Sequence, residues 1–160
     1  MIPTSHPALR LRPFRRSDAD ALCRLGDDRE VWRNLRDGFP HPYDDAAADS
    51  FLDVACGEAG AGLFAIEADG VLAGGAGLHR QHDVARRGLE VGYWLGRPFW
   101  DQGIATAAVS ALVAHAFASD PEIARVWAGV FAWNPASGRV LEKFGFALEG
   151  RLRDDVFKDG

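Results

Sequence analysis

A single α/β (α+β) domain, with a mixed and mostly antiparallel central sheet covered by helices on both faces, is what the sequence predicts. Three observations carry this. Residues 9–14, 63–68, 71–79, 89–95 and 125–133 read as extended runs with strand-like alternation. Helical spacing replaces it after Ser17, from about Asp44 to Glu58, and again from Gly103. The early strands are joined by turn signals and the later ones by helices, so antiparallel hairpins precede crossovers. At 160 residues and 48% hydrophobic content, one such domain has enough chain to close a core.

Taken in order, Leu9-Arg10-Leu11-Arg12-Pro13-Phe14 alternates like a first strand, with Pro13 closing it. Ser17 is a candidate N-cap for a helix carrying Ala21, Leu22 and Leu25 on one side. The stretch 26–43 holds Asp27, Asp28, Glu30, Trp32 and Leu35, then the breaker cluster Gly38-Phe39-Pro40-His41-Pro42, and reads as a short helix or loop. A second helix, about Asp44 to Glu58, spaces Ala48, Phe51, Leu52 and Ala55 along one face. Its acids and those of 27–30 either receive an amine or form a solvated face.

Leu63–Ala68 and Val71–Ala73 flank Asp69-Gly70, a strong hairpin signal. Gly74, Gly75 and Gly77 lie in a strand that continues through Leu78 and His79, so they are strand glycines with no ligand role. His79 and His82, three apart near a turn, point to opposite strand faces, and no metal site is expected there. After the helix that starts at Gly103, Val126, Val130 and Ala132 alternate with Trp127, Gly129, Phe131 and Trp133. Asn134-Pro135 caps a short helix, Gly145 stops it, and Phe146 opens a further strand. Val156-Phe157 ends an extended stretch, and Lys158-Asp159-Gly160 is a hairpin signal with no strand after it. The expectation is one domain over 1–160 lacking its last strand, through truncation rather than strand exchange.

A net charge of −5 argues against a nucleic-acid binder and suits a cationic acceptor. No signal peptide is visible in residues 1–20, and the uncharged stretch 103–119, rich in Ala, suits a buried helix better than a membrane span. Cys23 and Cys56 read as small buried hydrophobes in a reducing compartment, so the protein is expected in the cytoplasm.

The stretch Glu90-Val91-Gly92-Tyr93-Trp94-Leu95 through Thr106 organises the rest. Leu89, Val91, Tyr93 and Leu95 share one strand face, with Glu90, Gly92 and Trp94 on the other. The strand then feeds a helix whose first turn is small and uncharged. The first N–H groups of a helix lack internal partners and carry the positive end of the dipole. Gly103 and Ala105 leave no bulk before those donors, and Gln102 and Thr106 can add side-chain bonds to an anion. The other reading is a tight turn that packs and binds nothing. Neither a Walker loop nor a dinucleotide fingerprint is present.

Trp100-Asp101-Gln102-Gly103-Ile104-Ala105-Thr106 resembles the pyrophosphate loop of the GNAT superfamily of acetyl-CoA-dependent N-acetyltransferases. Asn134-Pro135-Ala136-Ser137-Gly138-Arg139-Val140-Leu141-Glu142-Lys143-Phe144-Gly145-Phe146 is similar to its second signature, N-x-x-S-x-R-V-L-E-K-x-G-F. With Leu11-Arg12-Pro13, the pattern is similar to the ribosomal-protein-alanine acetyltransferase branch. The resemblance implies a GNAT-like fold in which the strands at 89–95 and 125–133 splay to hold the pantetheine arm of acetyl-CoA. It implies cofactor contacts from Trp94, Leu95, Gln102, Gly103, Ile104, Ala105, Thr106 and Asn134.

Glu90 is the candidate general base, since an alkyl amine is protonated at neutral pH; otherwise it is a solvated strand residue. Ser137 is the candidate partner of the departing thiolate; otherwise it only belongs to a helix start. The chain departs from the wider family at Leu141, where many members have Tyr, at Ala107, where Glu is common, and at Asp101, where Gly is common. The function implied is acetyl transfer to a primary amine, on a protein N-terminus or a small molecule, by a monomer or homodimer without metal, nucleic-acid or membrane partners. A transferase for another acyl-CoA and a non-catalytic acyl-CoA-sensing domain are the alternatives.

Overall fold

The computed structural model describes all residues from Met1 to Gly160. Six strands form one sheet in sequence order: β1 (Ile2–Pro3), β2 (Leu9–Arg12), β3 (Leu63–Ala68), β4 (Val71–Arg80), β5 (Gly88–Leu95) and β6 (Arg125–Trp127). The first four pairings are antiparallel; β5 and β6 are parallel, because a helix carries the chain from one to the other. The helices are α1 (Ala19–Gly26), α2 (Arg29–Trp32), α3 (Asp45–Ala55), α4 (Ile104–Ser119) and α5 (Pro135–Lys143).

Both faces of the sheet are covered, as the periodicities require. On one, Ile66, Ala76, Val91 and Leu95 pack against Ile104, Ala108 and Leu112 of α4. On the other, Ala65 and Leu72 pack against Leu22 and Leu25 of α1 and Ala48 and Leu52 of α3. The β3–β4 turn has Asp69 at φ 50° and Gly70 at φ 80°, positive at both central positions as a type I′ hairpin needs. Gly74 has a packing reason: a Cβ there would lie 2.1 Å from the Trp94 carbonyl oxygen of β5.

Four expectations are corrected. Ser17 does not cap α1. A 3₁₀ turn, Arg16–Asp18, precedes the helix, and the Asp18 carboxylate accepts from the Arg15 N–H at 2.9 Å while gripping Arg12 through two bonds of 2.8 Å. Arg12 also donates to Glu67 at 2.5 Å, so a buried three-residue charge network fixes this corner. Cys56 is exposed rather than buried, because it caps the end of α3 beyond the stripe of Ala48, Leu52 and Ala55.

The run 125–133 is a strand only through Trp127. It is the sheet's edge, and beyond it the chain bends towards α2, where the Trp133 indole donates to the Arg33 carbonyl at 3.2 Å. Phe146 opens no strand. With Gly145 at φ 90°, Phe146 N–H donates to Leu141 O (3.1 Å) and Gly145 N–H to Glu142 O (2.9 Å), a Schellman closure that turns Phe146 onto the cluster containing Leu141.

Candidate active site

Strand β5 presents two chemistries through its alternation. Val91, Tyr93 and Leu95 face α4, whereas Trp94 packs among the side chains of α1 and α3, with Glu90 and Gly92 on its side of the sheet. Pairing with β6 covers only Gly88, Leu89 and Glu90, opposite Arg125, Val126 and Trp127. From Val91 to Leu95 the strand has no neighbour on that side. The two strands therefore part at Glu90, and a stretch of β5 backbone lies open at the gap.

The gap leads to the start of α4. Gly103 is the N-cap, at φ 76°, a conformation that favours glycine. It receives no side-chain cap, the helix has no acid in its first turn, and the N–H groups of Ile104, Ala105 and Thr106 have no backbone partner. Nothing lies within 4 Å of where a Gly103 Cβ would be. Such a bare, unobstructed helix start fits an anionic phosphate group. Gln102 is committed otherwise than expected: its amide donates to the Pro98 carbonyl at 2.7 Å and so ties the loop. The Leu95 carbonyl accepts from the Trp100 indole at 2.8 Å, while the Trp94 carbonyl is turned to Gly74 of β4, away from the gap.

On the α1–α3 side, Glu90 sits where the strands separate. Its side chain is 14% exposed, and Oε1 accepts from Arg36 Nη2 at 2.5 Å. Gly129, past the end of β6, leaves space above this pair: a Cβ there would be 3.9 Å from both Glu90 Oε1 and Arg36 Nη2. His79 is directly opposite Glu90 on β4 and lies over Gly77 and Gly92. Phe39 and Trp94 meet edge to face, with centroids 5.2 Å apart, and extend this wall.

On the α4 side, Asn134 Oδ1 accepts from Ser137 N–H at 3.3 Å and starts α5. This places Ser137 Oγ 2.8 Å from the Tyr93 hydroxyl, whose single proton is also within reach of the Ser137 carbonyl at 3.2 Å. Burial pushes the Tyr93 phenol above its ordinary value, with the Ser137 bond opposing weakly, so the phenol stays protonated and available as a donor.

Sequence reasoning missed Tyr93 and Arg36. An inward-facing strand Tyr needs a partner for its hydroxyl, which was the available signal for Tyr93. Arg36, in a mixed polar stretch, carried none.

A family profile described as an acetyltransferase (GNAT) domain matches residues 8–147. YdaF of Bacillus subtilis, named as a candidate ribosomal N-acetyltransferase, is 38% identical over 92 residues, covering 58% of this chain and 49% of that protein. The chain thus spans about half the length of that curated relative. An uncharacterized N-acetyltransferase of Bacillus licheniformis, p20, is 33% identical over 153 residues, covering 91% of this chain and 83% of the relative. The structure of Mycobacterium smegmatis RimJ with a CoA disulfide superposes with a TM-score of 0.83 and 29% identity, covering 99% of this chain and 80% of that one.

Proposed function

From the premise that this chain belongs to the GNAT acetyltransferase-domain family, we propose that it moves an acetyl group from acetyl-CoA to a primary amine. The open β5 edge, running from Glu90 to the bare start of α4, carries this reading. Acetyl-CoA supplies a thioester whose carbonyl carbon accepts the amine. The residues present fit it: the N–H groups of Ile104, Ala105 and Thr106 suit a pyrophosphate, and β5 backbone from Val91 onward suits an extended amide-bearing arm. The CoA seen in the related RimJ structure supports the same assignment.

Glu90 is the general base. It lies at the parting of the strands, on the face lined by Arg36, His79 and Gly129, where space for an amine is left. Its carboxylate takes the proton that a protonated amine must lose before it can attack, directly or through a water. Ser137 Oγ, on the α4 side and held by Tyr93 and the Asn134 cap, donates to the departing thiolate sulfur. The split strands are the route by which the two faces meet.

The acceptor is a protein N-terminal amine or a small amine; the name of YdaF supports a ribosomal protein as its source. The catalytic pair Glu90 and Ser137 distinguishes this reading from a sensing domain, which needs only the loop. No helix is long and apolar enough to cross a membrane. We place the protein in the cytoplasm, where acetyl-CoA and ribosomal acceptors occur. The test is acetyl-CoA-dependent thiol release across a panel of N-terminal peptides and small amines. No thiol release with any of them, in a protein that binds acetyl-CoA, would favour the sensing domain.

A further inference from the structure

The acids between Asp27 and Asp45 attract attention in the sequence as possible receivers of an amine, and the structure sorts them. Asp28 accepts from Glu30 N–H at 2.8 Å, Asp27 from Tyr43 N–H at 3.0 Å, and Asp44 from Ala47 N–H at 2.9 Å. Glu30 pairs with Arg33 one helical turn away. These carboxylates cap and brace their own segments. Asp37 differs. It serves no local backbone group, and its Oδ1 holds an ammonium, Lys158 Nζ, at 2.8 Å across 121 residues of chain.

The same ammonium lies 3.8 Å from the centroid of the Trp32 ring, on which His41 also stacks at 5.5 Å. The Lys158 side chain is only 3% exposed, whereas its neighbours Val156 and Phe157 are 50% and 84% exposed. Arg29 and Asp159 pair at 2.6 Å beside it. A carboxylate and the face of an indole converging on one amine is the donor set that recognises alkylammonium ions. Asp37 is the residue after Arg36, whose guanidinium reaches Glu90, so the chain ties the site to the proposed acceptor pocket.

We propose that Trp32 and Asp37 form a subsite for a second alkylammonium group of the acceptor, and that Lys158 fills it in the free protein. The proposal rests on the acetyl-transfer reading and names its substrate class: amines that carry another fixed positive charge near the amine acetylated. The net charge of −5 suits such ligands. A lysine side chain near a peptide N-terminus and a free diamine share this chemistry. Lys158 acts as an internal competitor, so a cationic acceptor binds by displacing it while a neutral one does not.

Two acceptor pairs separate the sources: N-terminal tetrapeptides differing only by lysine or norleucine at one downstream position, and 1,4-diaminobutane against n-butylamine. In Lys158→Met, KM for the cationic member of at least one pair falls roughly five- to thirty-fold, the combined weight of one cation–π contact and one ion pair. KM for the neutral member is unchanged. Adding Asp37→Asn returns the ratio of kcat/KM between cationic and neutral acceptors towards one; the pair that responds identifies the source.

Equal KM shifts for charged and neutral acceptors, or none in Lys158→Met, overturn the subsite. Calorimetry of 1,4-diaminobutane and of the lysine tetrapeptide with Lys158→Met reads it without turnover: binding of either that Asp37→Asn weakens supports the subsite, and binding that Asp37→Asn leaves unchanged, or no binding of either, overturns it. Diamine binding that needs Asp37, combined with no thiol release from any acceptor, leaves the subsite standing and removes the acetyl-transfer reading instead.

Discussion

Replacing Glu90 by Gln gives a prediction whose size follows from the site. The amide has the volume of the carboxylate, and its oxygen can still accept from Arg36, so the fold and the α4 start are untouched. What it cannot do is take a proton. General-base assistance is worth about 10²–10⁴-fold, or roughly 3–5 kcal/mol of barrier, so kcat/KM at pH 7 falls by that factor. The residual rate then follows the fraction of acceptor already deprotonated. For an α-amine with pKa about 7.8 that fraction is roughly one in seven at pH 7; for a lysine-like amine with pKa about 10.4 it is roughly one in 2,500. Between pH 7 and 9 the variant therefore regains about sevenfold on an N-terminal peptide and levels off. On an alkyl amine it regains about a hundredfold and is still rising. Thiol release measured from pH 6 to 9 with both acceptors reads the two slopes. Wild-type rates across that range in Glu90→Gln would refute the assignment and leave Glu90 as an ion-pair partner of Arg36.

Gly103→Val places a branched side chain at φ 76°, among the phosphate-facing N–H groups, and calorimetry should show acetyl-CoA binding lost in a folded protein. Tyr93→Phe removes the hydroxyl's contacts to the Ser137 Oγ and carbonyl, so kcat should fall roughly three- to tenfold while acetyl-CoA affinity holds; loss of affinity in parallel would make Tyr93 a packing residue. Arg12→Met leaves Asp18 buried without its guanidinium partner and Glu67 held only by the half-exposed Arg10, at a cost of about 3–5 kcal/mol and a Tm roughly 6–20 °C lower by calorimetry. In the parent protein the Arg12 hydrogen bond holds the Glu67 carboxyl below its usual range. Burial pushes the Asp18 carboxyl up, but its bonds to Arg12 and to the Arg15 N–H outweigh this and leave it low as well. Depressed carboxyls stabilise the fold above the ordinary carboxylate range, so Tm should stay level down to about pH 5 and fall below about pH 4.

The fold was legible where signals are local. Asp69-Gly70 set the first hairpin, Gly103 the change from strand to helix, and Asn134 with Gly145 both ends of α5, because turns and caps depend on residues within a few positions. Strand ends were less legible, since they depend on neighbours: the alternation of 125–133 continues past Trp127, but pairing with β5 does not. Ser17 lost the N-cap role to a geometry set by Asp18, whose partner Arg12 on β2 is itself held by Glu67 on β3, 55 residues further along the chain. Arg36 with Glu90 and Trp32 with Lys158 join positions far apart in the chain, and no periodicity reports on such pairs.

The alternation of β5 also explains why its open edge belongs at Glu90. A period of two sends Glu90 to the α1–α3 face and Tyr93 to the α4 face, so one strand holds the proposed base and the support of the proposed acid on opposite sides of a sheet. In a fully paired sheet those groups could not act on the same bond, because backbone hydrogen bonds would close the space between them. Parting the strands after Glu90 and Trp127 opens that space over the five residues Val91–Leu95. The unpaired backbone this creates is an aggregation hazard unless something covers it. In the proposed reaction an extended amide-bearing arm would both cover the edge and deliver the thioester into the gap, so the opening that exposes the strand would also let the two faces share one reaction. A test follows from the edge itself: amide hydrogen exchange at Tyr93 and Leu95 should slow on adding CoA, while Trp94, already turned towards β4, should change little. Equal protection at all three would mean that the arm does not lie along this strand.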